Sequence, residues 1–509
     1  MNRYDRMSEW ETYGLIENVR SSLRIIRGSK LITNASVYVL GSMLQKAAAF
    51  LLIPLYTRHL SPSEYGIVGL AQSIQGMLSL LIGLGLFSAL ARLYYDYRDK
   101  PNVLRSYITS TFLFLAIIGL VATLALNRWG SVLWERFSGG QVPFAPYIQM
   151  ALWLAYVDNL FRIPVTLYRT AQRAKAFIAA NFGVFLVSTA AIIYFVVGKK
   201  MGAKGLLLGD LIANGLAVTV LVGLLFRQYF SPVFNWEHIR SSLSFGLPLV
   251  PHAVASWALV AIDRILLESG GVSLAQIGYY NLGYQLGLVM SLLVFSINQA
   301  WSPYYYDLMK TVPNPEDKIR KMIYLYIALI GGICLIGILF SNELVTLVAP
   351  DRYKDAVVFV SPILFGHLLL GFYYLASVPL FYFKRTIVIP FITLSGAALN
   401  IILNLWWIPE WGAMGSAWAT AVSYGVTFII AFAISQRHQR IDIPLSKFAT
   451  LIGLILAAVV LTTTVFSEYG DGLNSMIYLL VKFCILLLFS FLAMAWFIKP
   501  FMHQKFSSV

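Results

Sequence analysis

Apolar residues run along this chain in long unbroken stretches, without the alternation of a half-buried strand or the single stripe of a soluble amphipathic helix. A bilayer core is crossed by about 20 apolar residues in helical form. Fourteen runs of that kind are present, near 33–57, 64–91, 103–126, 145–168, 176–197, 203–226, 241–267, 273–301, 319–340, 356–382, 386–408, 412–434, 447–466 and 473–498. The polar gaps between them all fall under twenty residues, too short for a soluble catalytic domain. The pattern predicts an all-α polytopic membrane protein with 14 transmembrane helices. Ahead of the first run, "LIENVRSSLRIIR" (15–27) places Leu15, Ile16, Val19, Leu23 and Ile26 on one arc of a helical wheel, with Arg20, Arg24 and Arg27 beside it. That suits a helix lying on the membrane surface within a tail of residues 1–32.

The pattern repeats. "EYGIVGL" (64–70) opens the second span and "QIGYYNL" (276–282) the eighth; "LYYDY" (93–97) and "YYYDL" (304–308) close them. "GAKG" (202–205) precedes the sixth span and "GAMG" (412–415) the twelfth. The offsets are 212, 211 and 210 residues. Spans 1–6 (33–240) and 7–12 (241–445) therefore read as two six-helix lobes, with spans 13 and 14 appended in 446–509. An even number of spans per lobe gives both lobes one orientation, related by a pseudo-two-fold axis along the membrane normal, as in two-lobed transporters.

Composition agrees: the 509 residues are 59% hydrophobic and 12% charged, with a mean hydropathy of +0.73. The net charge of +15 would point to nucleic acid in a soluble chain; here it points to sidedness, and no nucleic acid partner is expected. Of the 38 Lys and Arg, 26 fall on the side of the N-terminus, 8 on the other and 4 within spans, which places both termini inside. The loop "GKKMGAK" departs from that rule. The first apolar run begins near Leu31 and is too long for a signal-peptide core, so no cleavable signal is expected. Cys334 and Cys484 both lie in apolar runs and imply no disulfide framework. No GxxxxGK[ST] loop is present, so the chain is not expected to hydrolyse ATP itself. No metal or cofactor is implied.

Four stretches, "IPLYTRHLSPSEYGIVGLAQS" (53–73), "SFGLPLVPHAVASWALVAIDRILL" (244–267), "IGYYNLGYQLG" (277–287) and "AWSPYYY" (300–306), taken in this order, carry a likeness. The chain resembles the polysaccharide and lipid-linked oligosaccharide flippases, of the O-antigen flippase type, in the exporter superfamily that also holds the multidrug extrusion proteins. The resemblance implies a V-shaped cavity between two six-helix lobes that opens to each side in turn. It implies a non-enzymatic flippase of the bacterial inner membrane, moving undecaprenyl-diphosphate-linked oligosaccharides outward. The partners it implies are the lipid bilayer, an anionic prenyl-diphosphate-linked glycan and other polysaccharide-assembly proteins.

Charges inside the spans are the candidates for holding such a cargo, because a charge at the bilayer centre costs at least about 2.5–3.5 kcal/mol unless it faces a cavity or a partner. Lys46 lies near mid-depth in span one, too deep for its stem to reach water easily. His252 lies at similar depth in span seven, where a neutral core imidazole and a functional one are both open. Arg58 and Arg264 lie near the outer ends of the same two spans. The pairs Lys46/Arg58 and His252/Arg264 are each twelve residues apart, about 120° around a helix. Bends at Pro54, Pro248 and Pro251 are what would bring each pair onto one face. Lys46, Arg58, His252 and Arg264 are thus the candidate substrate-binding residues. Asp263 is expected to hold Arg264, either at the cavity mouth or as an interfacial anchor. Asp158 and Arg162, at i and i+4 in span four, are expected to pair. The partners of Asp210 and Lys482 cannot be named from sequence.

Two rivals have sequence requirements of their own. A drug/cation antiporter of the same superfamily commonly carries an acid in span one, and that span has Lys46 and no acid. A membrane glycosyltransferase or glycan polymerase needs a catalytic acid, usually on a large outer loop, and the outer loops here are short.

Overall fold

Lipid cannot satisfy backbone polar groups, so apolar runs of this length must pair their N–H and C=O groups within helices. In the computed structural model, residues 50–440, 445–464 and 474–498 are described, and they form an all-helical bundle. Eleven of these helices are long and apolar enough to cross a membrane. Span one is described only from Phe50, so Lys46 and the amphipathic segment 15–27 lie outside the described residues, as does part of the expected fourteen.

The first half holds α1 (Ile53–His59), α2 (Pro62–Gly83), α3 (Leu86–Tyr97), α4 (Pro101–Phe137), α5 (Gln149–Thr170), α6 (Ala174–Ile192) and α7 (Gly202–Tyr229). Next come α8 (Trp236–Gly246), α9 (Val250–Ser269), α10 (Leu274–Thr311), α11 (Glu316–Leu339), α12 (Ser341–Val348), α13 (Val357–Tyr382) and α14 (Val388–Gln436). The chain ends in α15 (Leu445–Thr464) and α16 (Asn474–Ala493), which pack on α11; α15 also packs on α13.

Several boundaries are written in local chemistry. Ser61 and Glu64 form a capping box at the start of α2, with the Ser61 N–H donating to Glu64 Oε2 at 2.8 Å. The repeat-related Ser273 caps α10 by accepting from the Gln276 N–H. The 49 residues of α14 are two helices folded back at Gly412 (φ +56°), as the contact between Asn400 and Thr420 at 3.4 Å requires; a straight helix would hold those residues about 30 Å apart. They match the expected spans 386–408 and 412–434. Gly202, the repeat equivalent, also has positive φ, at +58°.

Two expected spans are not continuous. Span two breaks at Leu84 and Gly85, both left-handed (φ 48° and 71°), between α2 and α3. Span seven is interrupted as an α-helix by a 3-10 segment at Leu247–Leu249, which holds Pro248 and joins α8 to α9 with the backbone still right-handed helical; α8 packs on α3 and α4 of the first half.

The halves meet along α2 with α10 and α9. A Cβ on Gly66 would lie 2.2 Å from the Leu274 carbonyl oxygen, and one on Gly278 would lie 1.9 Å from that of Pro62. These glycines are the same position in the two repeats, so the seam is self-complementary, as a two-fold contact must be. Beyond it the paths part. α3, which continues α2, packs on α4, α5 and α8, while the far end of α10 joins an aromatic cluster in which Tyr305 donates to Gln439 and meets the Tyr382 ring edge to face.

Candidate functional site

Three groups of charge are built into the helices. The first sits in the middle of α5. Asp158 accepts from Ser79 Oγ of α2 at 3.0 Å and meets Arg162 Nε at 2.9 Å. The neighbouring Asn159 donates to the same Ser79 hydroxyl at 3.2 Å. The Arg162 guanidinium lies 5.9 Å from the centre of the Phe87 ring, in the first turn of α3. The expected i,i+4 pair is therefore in place, but it is not sealed: the side chains of Arg162 and Asp158 remain 46% and 22% exposed.

The second group is Asp263 with Arg264, and it is sealed. Asp263 is fully buried and Arg264 is 4% exposed. Asp263 accepts from Tyr280 at 2.5 Å, from Thr420 at 3.0 Å and from Asn404 at 3.3 Å. The Arg264 guanidinium packs over Tyr284 at 3.9 Å and donates to the Val260 carbonyl at 2.7 Å. Neither side chain lies at an open mouth or reaches water at an interface, which corrects both placements that depth alone suggested. α10 and α14 close over this part of α9. Asp263 does not hold Arg264 by a direct ion pair among the described contacts; hydroxyl and amide donors from two other helices surround it instead. Sequence reasoning missed Tyr280, Asn404 and Thr420, although Asn400 and Asn404, one turn apart in an apolar run, mark a polar stripe.

The third group crosses between the halves at the end where α2 and α10 begin. Arg352 donates to the carbonyls of Thr57 and Arg58 at 2.8 and 2.7 Å, covering the free C-terminal carbonyls of α1. Thr57 donates to the Val348 carbonyl at 2.8 Å, and Tyr353 to that of Leu60 at 3.1 Å. The buried Glu268 accepts from the N–H groups of Gly139 and Gln141 at 2.9 and 3.2 Å. Arg58 therefore sits at this seam with an exposed side chain, its backbone rather than its guanidinium in contact.

His252, half-buried, shares a 3.0 Å hydrogen bond between Nδ1 and Thr393 Oγ1. α9 runs unbroken from Val250 to Ser269, and Pro248 and Pro251 precede His252. No bend lies between His252 and Arg264, so they stay about 120° apart and do not form one site. The unassigned charges have partners: Asp210 accepts from Ser188 Oγ, and Lys482 meets Glu343 at 2.6 Å, tying α16 to α12. An apolar cavity of about 240 Å³ lies between α10, α11, α13, α14 and α15. No charged residue lines it, so it offers nothing to a phosphate. Among the described residues, no three His, Cys, Asp or Glu side chains gather as metal ligands would.

Known proteins share this architecture. A solved structure of the lipid II flippase MurJ, in an inward closed conformation, superposes with a TM-score of 0.66 at 16% identity, covering 90% of this chain and 98% of that one. An inward-facing multidrug resistance MATE family transporter of the MOP superfamily gives a TM-score of 0.58 at 15% identity over 83% of this chain and 99% of that one. At these identities the likeness shows a shared fold. The Lsg locus putative protein 1 of Haemophilus influenzae is 22% identical over 300 residues, 57% of this chain and 70% of that protein. The model of the family described as "Polysaccharide biosynthesis protein" matches residues 31–309. That is more than half of the chain, so this multi-pass membrane protein belongs to the polysaccharide biosynthesis protein family.

Proposed function

We propose that the chain is a flippase carrying an undecaprenyl-diphosphate-linked oligosaccharide, the repeat unit of a polysaccharide, across the bacterial inner membrane by alternating access. Residues 33–240 and 241–445 act as the two lobes, 446–509 is appended, and both termini are cytoplasmic. The observation that carries the reading is the seam between repeat-related helices. α2 and α10 meet glycine to glycine at their starts and take different partners over their second halves. That is a clamp shut at one end, and with the N-terminus inside the shut end is the outer one. Membership in a polysaccharide biosynthesis family and a fold shared with a lipid II flippase point to a lipid-linked glycan. The cationic residues hold the diphosphate, the space between the lobes holds the sugars, and the prenyl tail remains in lipid.

The test is to purify the protein into nanodiscs from cells that make the polysaccharide and identify the bound lipids by mass spectrometry. A prenyl diphosphate bearing sugars is expected. In cells lacking the protein, the same lipid should accumulate on the inner leaflet. Wild-type export without the protein, or bound lipids without a diphosphate, would overturn the reading.

A further inference from the structure

We infer that the middle of α5 is a diphosphate-binding site of the first lobe, with Arg162 as the group that grips the anion and Asp158 as the residue that positions it. The assignment of the ligand's lipid tail rests on the flippase reading; the anion site itself does not.

The side chains that this part of α5 leaves exposed are polar. The helix packs against α2, α3, α4, α6 and α7. Helices that face lipid here show it by large exposed apolar side chains: Ile117, Val121 and Leu124 on α4, Leu186 on α6, and Leu216 and Val220 on α7. α5 has no large exposed apolar side chain at all. Its exposed residues are Arg162 and Arg169, and the partly exposed Asp158 and Val165 fall between and before them at spacings of three and four. Positions so spaced form one stripe. The stripe runs from mid-helix to the end of α5 that Tyr95 of α3 reaches, donating to the Thr170 carbonyl at 3.2 Å. On α3, Ser88 and Arg92 are exposed as well, with Arg92 paired to Asp96 at 2.7 Å. Across the two helices, the exposed and partly exposed charges are three arginines and two aspartates.

The pair differs from Asp263 and Arg264 in its access to solvent, which leaves Arg162 reachable by a ligand. At Asp263 and Arg264 the fold seals its charges from solvent. Asp158 and Arg162 occupy the middle of α5, where the sequence places the fourth span, and still stay open. The contact to Asp158 uses Arg162 Nε, so the Nη1 and Nη2 donors are not consumed by it. A guanidinium edge of this kind pairs bidentately with phosphate oxygens. Asp158 is itself fixed by Ser79, and Phe87 flanks the guanidinium, so the arginine is held before any ligand arrives. Phe87 comes from the first turn of α3, just past the break at Leu84 and Gly85.

The test uses the full chain in nanodiscs, with farnesyl diphosphate, inorganic pyrophosphate and farnesol as probes and titration calorimetry as the readout. Farnesyl diphosphate should bind more tightly than pyrophosphate, and farnesol should bind weakly; equal binding of the two diphosphates would overturn the lipid head group as the ligand. Arg162→Gln should weaken farnesyl diphosphate at least tenfold, whereas Arg162→Lys should recover part of that loss. Asp158→Asn should change the affinity by less than fivefold at unchanged protein level, because it removes the holder and not the grip. Melting temperatures recorded alongside separate misfolding from lost binding. Wild-type affinity in Arg162→Gln, or in the double variant Asp158→Asn with Arg162→Gln, would overturn the site. Lost binding in Arg162→Gln with no export defect in cells lacking the protein would leave the site standing and sink the flippase reading instead.

Discussion

Asp263 and Arg264 are neighbours in sequence but answer to different helices. The carboxylate is surrounded by Tyr280, Asn404 and Thr420, and the guanidinium lies on Tyr284. Removing one member of a buried charged pair typically costs about 3–5 kcal/mol, because the other is left uncompensated in low dielectric. Asp263→Asn and Arg264→Gln should therefore each lower the melting temperature in detergent strongly. The double variant should lose clearly less than the two losses added together. Additive losses would mean that the two charges do not compensate each other. The depth of Arg264 along span seven was legible from residue counting, but its burial was not, because burial depends on α10 and α14, more than ten residues away in the chain.

Helix-level features divide in the same way. The capping box at Ser61 and Glu64, its counterpart at Ser273 and the reversal at Gly412 lie within a few residues of their own signals, and sequence carries them. The interruption of span seven is marked in sequence by Pro248, which lacks the N–H an α-helix uses; which surface α8 meets, that of α3 and α4, is set by packing. The close approach of α2 and α10 gives the sharpest test at this scale. A methyl group at residue 278 would meet backbone, the Pro62 carbonyl at 1.9 Å, and backbone cannot swing aside as a side chain can. Gly278→Ala should force the helices apart and reduce glycan export several-fold at normal protein level. Export at the wild-type level would show that the seam need not close during transport.

For the molecule as a whole, the contacts of Arg352, Tyr353 and Glu268 with the first half all lie at the end where α2 and α10 begin. If that end is outside, a cysteine at Gly140 should react with a membrane-impermeant maleimide added to intact cells, and one at Asn314 should not. The reverse pattern would invert the topology. Charged side chains that grip backbone across a seam also keep it shut. Arg352→Ala combined with Glu268→Gln should therefore raise the outside labelling of a cysteine at Ser256, a partly buried position on α9. Unchanged labelling would show that the glycine contacts hold the seam without them.

Residue pattern alone shows that the chain is helical and apolar enough to span a membrane, points to an internal repeat, and marks the charges within its apolar runs. Those properties follow from local rules: backbone groups in lipid must be paired within a helix, and each apolar run is its own evidence. It also placed Asp158 and Arg162 together, since an i,i+4 pair is set by one helix alone. Which charges are sealed and which stay open depends on packing between helices distant in the chain. Asp263 and Arg264 are covered by helices from elsewhere in the chain, Lys482 finds Glu343 139 residues away, and Arg162 keeps its exposure because the neighbours of α5 leave one stripe uncovered. Solvation at a residue is set by what packs over it, and the nearest-neighbour pattern along a chain carries no record of that.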